Sequence, residues 1–349
     1  MSIYLRPDVS FGRSLEEPTD NEGFIRLKLY WDFGSRYAII DVTDDVHALL
    51  DAHVGGAEPL PDIAYLSDSA QQFIRFLHDR SLVTTQQRPF TGRWSRQLPV
   101  WMSLHAGQKP QDVQDRVHAS RVAVLGLGGI GSNITLELAA SGVRQFYLLD
   151  SDIVTDSNQN RQIPFLSKDA LGAGKAAYLS SYLAHVADIH SDQIAVSGDK
   201  ITSDSLRHLL DWAPDLIIVA ADEPSLFVNV VEVIDNAPDT PVLVGGGYFG
   251  LTCFAGPLLV PGERPCSTCL REFFLPTSRA GTNAPVGGSI ASVALTATSL
   301  SATSCLLFLS GVEPDKLPLH NSVLELTTFP STLHSVMLRR CATCATETY

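Results

Sequence analysis

Two cationic side chains, Arg161 in SNQNRQ (157–162) and Lys175 in LGAGKAA (171–177), follow a carboxylate, Asp150, that ends the apolar run QFYLL. A carboxylate in that place suits the hydroxyls of a ribose. An arginine and a lysine beyond it suit the oxygens of a triphosphate, where they would offset the charge that grows on departing pyrophosphate. Asn158 lies in the same stretch and joins this set; a nicotinamide ring has no use for any of the three. Gly174-Lys175 is not a Walker phosphate loop, because Ala176 follows the lysine where Ser or Thr would hold magnesium. Asp222, in LIIVAADEP, ends another apolar run, and a carboxylate on that sheet edge suits a magnesium ion bridging phosphates.

The elements that must position these groups begin with RVAVLGLGGIGSN (121–133). Here a strand runs into Gly126, Gly128, Gly129 and Gly131 and then into a helix start, the layout of a dinucleotide turn. Alone, the glycines leave NAD and ATP both open; the downstream cations favour ATP. Strands are expected at 121–126, 145–150, 194–197, 215–221 and 241–245 with helices between them, which implies a mostly parallel α/β sheet covered on both faces. FAGPLLVPG and SVLELTTF add antiparallel strands, so the second half is mixed.

Before residue 90 the pattern is different. FIRLKLYWDFGSRYAII (24–40) alternates around Asp32-Phe33-Gly34 and reads as a β-hairpin. Helices follow near 43–53, with Thr43 as N-cap, and near 67–79, and LVTT (82–85) reads as a last strand. The expected organisation is a small winged-helix-like unit over 1–90, ending in the polar linker QQRPFTGR, and a larger domain over 91–349.

Composition narrows the function classes. The chain has 349 residues, 45% apolar, with mean hydropathy +0.09, enough for a large core plus a small one. Its net charge of −13 argues against nucleic acid as a partner, since that affinity rests on Lys and Arg neutralising phosphates. MSIYLRPDVSFGR holds no signal-peptide pattern, so a cytoplasmic location with reduced cysteines is expected. The stretch 287–312 carries no charge and is long enough to span a bilayer, yet its nine hydroxyls suit a helix packed inside the protein or against a second subunit. No membrane partner is expected.

Two CxxC pairs, Cys266/Cys269 and Cys341/Cys344, have zinc-ligand spacing in a chain without expected disulfides, and imply a closed tetrahedral structural site. Cys253 and Cys305 lie in apolar surroundings that suppress the thiolate and are expected in the core.

Taken together, RWSRQ (93–97), GLGGIG (126–131), LLDSD (148–152), SNQNRQ (157–162), GAGK (172–175), AADEP (220–224) and the two CxxC pairs resemble the ThiF/MoeB/ubiquitin-activating family. The resemblance implies a Rossmann-like adenylation domain that joins AMP to a carboxylate. In it Asp150 would bind ribose, with Asp152 in the same motif; Asn158, Arg161 and Lys175 would bind phosphates and Asp222 magnesium. Arg96 would reach the nucleotide of the partner subunit in a homodimer. Relatives that pass their substrate through a thioester carry a cysteine after the first CxxC, whereas LREFFLPTSRAGTNAPVGG (270–288) has none. That departure, with the unit in front, points to the branch that modifies ribosomally made precursor peptides, with residues 1–90 as clamp for the leader and the loop 271–288 as lid. An activating enzyme for a sulfur-carrier or ubiquitin-like protein is the alternative.

Overall fold

The computed structural model describes residues 2–13, 22–31, 36–56, 58–85, 90–105, 107–220, 230–231, 233, 235–278, 288–342 and 344. The chain divides into two compact units, Met1–Gln114 and Asp115–Tyr349. The division therefore falls later than the 90/91 expected from sequence. Within the segment after residue 90, Trp101 Nε1 and Gln97 Nε2 both donate to Gln114 Oε1, at 2.8 and 2.9 Å, so its two ends are held together.

In the first unit, β1 (Tyr4–Leu5) precedes β2 (Ser10–Arg13), β3 (Ile25–Trp31) and β4 (Arg36–Val42). The last three form an antiparallel sheet in that order, with Leu29 opposite both Phe11 and Ala38. The hairpin strands are those expected; the turn Asp32-Phe33-Gly34 lies outside the described residues. Helices α1 (Asp44–His53) and α2 (Asp68–Asp79) follow, then β5 (Val83–Thr84), which pairs with β1. Thr43 takes the N-cap position of α1, but its side chain bonds no helical N–H; its hydroxyl donates to Asp45 instead. Ser67 does cap α2, accepting from Ala70 N at 3.1 Å. Alternation along β3 sends Leu27 and Leu29 into a core with Val46, Leu50, Phe73 and Leu77. Each such side chain contributes about 1.5–3 kcal/mol by leaving water. The segment ends with α3 (Leu98–Leu104) and α4 (Pro110–Ala119), within which the division falls.

The second unit is built on β6 (Arg121–Leu125), α5 (Gly131–Ala140), β7 (Gln145–Leu149), α6 (Lys175–Val186), β8 (Ile194–Ser197), α7 (Ser203–Asp211) and β9 (Leu216–Val219). After them come β10 (Val242–Val244), β11 (Gly247–Phe249), β12 (Thr252–Ala255) and β13 (Leu258–Leu259). The main sheet runs β13-β10-β9-β6-β7-β8, parallel except for β13. Being covered on both faces, its strands read as continuous apolar runs, and β9 is buried throughout. Helices α8 (Ser267–Ser278) and α9 (Ala291–Ser310) precede the hairpin β14 (Ser322–Thr328) and β15 (Ser331–Met337), which joins β11 and β12 in a second, antiparallel sheet. The mixed second half expected from sequence is thus present. Of the expected lid, 271–278 belongs to α8, because the apolar-polar run after Cys269 continues as helix, and 279–287 lies outside the described residues.

Helix α9 is long and apolar enough to cross a bilayer, and half of it is buried inside the unit. Thr298 Oγ1 donates to Glu137 Oε1 of α5 at 2.9 Å, and Ser299 donates to the same oxygen at 3.1 Å, so hydroxyls of this helix serve packing against a neighbour.

Candidate active site

The chain runs from β6 to β7 and β8 on one side of the sheet and returns to β9 on the other. This reversal opens a crevice at the carboxyl end of β6, where open α/β sheets bind ligands. The glycine turn occupies it. Gly126 has φ +88°, a conformation that costs a side-chain-bearing residue strain, and its N–H bonds to Leu149 O at 2.8 Å. The chain then enters α5 with its N-terminal N–H groups and partial positive charge facing the crevice, a setting that favours an anion.

Asp150 stands at the end of β7 and is tied to that turn. Its Oδ2 accepts from Leu127 N at 2.6 Å and its Oδ1 from Asp152 N at 2.7 Å. Burial pushes the Asp150 carboxyl above its ordinary value, while the Leu127 N–H and the Lys175 ammonium pull it down.

A cavity of about 270 Å³ opens beside the turn, with Gly129, Asp152, Asn158, Arg161, Gln162 and Lys175 in its wall. Lys175, the first residue of α6, is only 5% exposed, and its Nζ lies 2.9 Å from Asp152 Oδ2. So buried an ammonium needs a negative partner. Arg161 is held at three points: Nε donates to Tyr248 Oη at 2.7 Å, and one terminal nitrogen donates to Ser157 O at 2.6 Å and Asn160 Oδ1 at 2.9 Å. The other terminal nitrogen has no partner among the described residues, which leaves two N–H donors for an anion. Asn158 Oδ1 accepts from Thr155 N at 2.9 Å and caps its own turn, so its amide nitrogen is the end available to a ligand.

The donor set fits a polyphosphate: one guanidinium, one ammonium, an amide and a helix start, all on one cavity. Gln162, 2% exposed, adds an acceptor, Oε1, that has no hydrogen-bond partner among the described residues.

Far along the chain, the four sulfurs of Cys266, Cys269, Cys341 and Cys344 lie within 4.8 Å of one another. Four of their separations are 3.6, 3.9, 3.8 and 3.6 Å. A tetrahedron of sulfurs about 2.3 Å from a zinc ion has edges of about 3.8 Å, so the cluster fits that ion.

The sequence pattern of the ThiF family matches residues 96–346. The chain belongs to the ThiF family. It is 30% identical over 208 residues to the sulfur carrier protein ThiS adenylyltransferase of Escherichia coli, covering 58% of this chain and 77% of that one. It is 25% identical over 177 residues to the SUMO-activating enzyme subunit uba-2 of Caenorhabditis elegans, covering 50% of this chain and 27% of the relative. The chain thus spans about a quarter of that relative, and 41% of a fission-yeast NEDD8-activating enzyme E1 catalytic subunit. Among solved structures, E. coli MccB with ATP shares the fold at a TM-score of 0.76, with 21% identity over 99% of this chain and 100% of that one. PaaA shares it at 0.60, with 20% identity over 77% and 92%.

Gly129, Asp152, Asn158, Arg161 and Lys175 meet at one cavity, while Gly126, Gly128, Gly131 and Asp150 shape the turn behind it. Asp222 lies outside the described residues. Arg96 is exposed in the turn before α3, in the first unit. Cys253 and Cys305 are 1% and 0% exposed, and burial raises both thiols.

Three residues of the site escaped the sequence reading. Asn133 is buried in α5 and bonds the turn to the Arg161 loop. A polar side chain at the start of the helix that follows the glycines was its only signal. Gln162 stood inside a recognised motif without a role. Tyr248 is 87 positions beyond Arg161 and had no local signal at all.

Proposed function

We propose that this ThiF-family chain is an ATP- and magnesium-dependent enzyme that adenylates a carboxylate of a ribosomally made precursor peptide during maturation of a peptide antibiotic. The observation that carries the reading is the convergence of Arg161, Lys175 and Asn158 on the cavity at the glycine turn. A carboxylate oxygen attacks the α-phosphorus of ATP, the bond to the β-phosphate oxygen breaks, and pyrophosphate leaves with its electron pair. Arg161 and Lys175 hold the departing charge, Asp222 holds magnesium, and Asp150 with Asp152 fixes the ribose end. The acyl-AMP is then captured by a group of the peptide, releasing AMP. Arg96 reaches the nucleotide of the partner subunit in a homodimer, and the four cysteines hold a structural zinc.

The first unit supports a leader-peptide clamp over residues 1–90. β4 is an edge strand, and among the described residues no strand pairs with its outer side. Exposed Tyr37 and Ile39 alternate along it, so an extended peptide adding there would find backbone partners and side-chain contacts together. The E. coli MccB structures include one with MccA and one with N-formylated MccA, which lends the peptide reading further support.

A second reading, activation of a sulfur-carrier or ubiquitin-like protein, is favoured by the identity to the ThiS adenylyltransferase. Against a route through an enzyme thioester stand the lack of cysteine in 270–288 and the full burial of Cys305.

Incubation with Mg-ATP and the short peptide encoded beside the gene, followed by mass spectrometry, tests the proposal. Gain of AMP, or loss of water or carbon dioxide, from the peptide is the expected result. Pyrophosphate exchange stimulated only by a folded protein ending in Gly-Gly would replace it with the second reading. Deletion of residues 1–85 abolishes turnover of full-length precursor if that unit is the clamp, and unchanged turnover refutes the clamp.

A further inference from the structure

The stretch VGGGYFG (244–250) takes no part in the functions assigned so far, yet it brings a phenol to the cavity. The main sheet hands over to the second sheet through Gly245 and Gly246. A methyl group on Gly246 would lie 2.1 Å from Phe254 O, so only a glycine lets β11 start this close to β12. Two residues on, Tyr248 reaches back across the glycine turn. Its hydroxyl lies where a side chain at Gly129 would begin: a Cβ there would be 2.0 Å from Tyr248 Oη. The same hydroxyl accepts the Arg161 Nε–H at 2.7 Å.

We infer that Tyr248 is a positioning residue for the triphosphate: its hydroxyl holds Arg161 by Nε so that the terminal nitrogen without a partner among the described residues faces the outer phosphates. Nε is the donor nearest the aliphatic stem, and fixing it sets the plane of the whole guanidinium. Ser157 O and Asn160 Oδ1 take the N–H groups of one terminal nitrogen, and the backbone of Arg161 is held through its carbonyl by Asn133 Nδ2 at 2.8 Å. Among the described residues, what remains is a single pair of donors with one direction. Gly129 belongs to the same device, since its missing side chain is the space that the phenol fills. This inference rests on the adenylation reading above and adds to it a residue outside the family motifs named there.

Calorimetric titration of the full chain with Mg-ATP and, separately, with AMP tests it. Tyr248→Phe keeps the ring over Gly129 and removes the hydroxyl that accepts from Arg161 Nε. It is expected to weaken Mg-ATP binding about tenfold, to leave AMP binding within about twofold of the parent, and to leave Tm unchanged. In an Arg161→Ala background the same substitution is expected to change Mg-ATP binding by less than about twofold, because the group it positions is gone. Parent-like Mg-ATP binding by Tyr248→Phe overturns the inference. So does an equal loss for ATP and AMP with a lowered Tm, which would make the tyrosine a fold residue, and so does a tenfold loss that persists without Arg161. A parent chain that binds neither nucleotide overturns the adenylation reading and this inference with it, whereas the other adverse results touch Tyr248 alone.

Discussion

Asn133 and Arg161 are joined through the side chain of one and the backbone of the other: Asn133 Nδ2 donates to Arg161 O at 2.8 Å and to Gly129 O at 2.7 Å. Its Oδ1 accepts from Ile163 N at 2.9 Å. A buried amide, 1% exposed, therefore fixes the loop bearing the guanidinium against the glycine turn, and the spacing of the two anion-binding parts depends on it.

Asn133→Ala leaves two carbonyls and one N–H without this partner in a buried place. The expected cost is on the order of 3 kcal/mol of stability, read as a lowered denaturation midpoint, with nucleotide affinity falling as the Arg161 loop loosens. A midpoint equal to the parent's would mean that water replaces the amide freely.

Lys175→Ala removes the buried ammonium at the cavity and is expected to lower pyrophosphate exchange about 100-fold or more, with the fold retained by circular dichroism. Asp152→Asn leaves that ammonium without its carboxylate 2.9 Å away, so it is expected to lower Tm as well as activity. Exchange at the parental rate in Lys175→Ala would remove the lysine from the phosphate site.

Metal analysis is expected to find about one zinc per chain, and Cys344→Ser is expected to lose it together with several degrees of Tm, since the ion would tie the end of the chain to α8. A purified parent chain with less than half a zinc would mean that the four thiols pack without metal.

Glu137 offers a pH test. Burial raises its carboxyl above the ordinary value, against the pull of the Thr298 and Ser299 hydroxyls. A carboxyl with a raised folded-state pKa binds its proton more tightly in the native protein, so stability falls as pH rises from the unfolded value through the folded one. Glu137→Gln keeps an acceptor for both hydroxyls and is expected to raise Tm at pH 7. The gain should vanish at pH 3, where both states of the parent are protonated; a gain equal at both values would trace to packing instead of charge.

The apolar runs of the main sheet were legible because strands covered on both faces have to be apolar throughout, as in β9 with its LIIV. The cavity was legible where its residues sit in short local motifs: Gly129, Asn158, Arg161 and Lys175 all lie in turns or at a helix start whose chemistry is encoded within a few positions. The segment after residue 90 was harder. It is held together internally by Gln97 and Trp101 sharing the side-chain oxygen of Gln114, a pairing of polar groups that leaves no periodic trace. The cap of α1 misled for a related reason, since the Thr43 hydroxyl had a carboxylate, Asp45, within reach.

By itself the sequence determined the parallel sheet, the glycine turn, the cations beyond it and the paired cysteines, because each is written in nearby residues as hydrophobic period, backbone freedom or ligand spacing. Only the tertiary structure decided which donors of Arg161 stay open, that Lys175 is buried against Asp152, that four sulfurs from two distant segments close to metal-binding distance, and that Tyr248 lies over Gly129. These are contacts between residues far apart in the chain. Their geometry comes from how strands and helices pack, and no local pattern carries it.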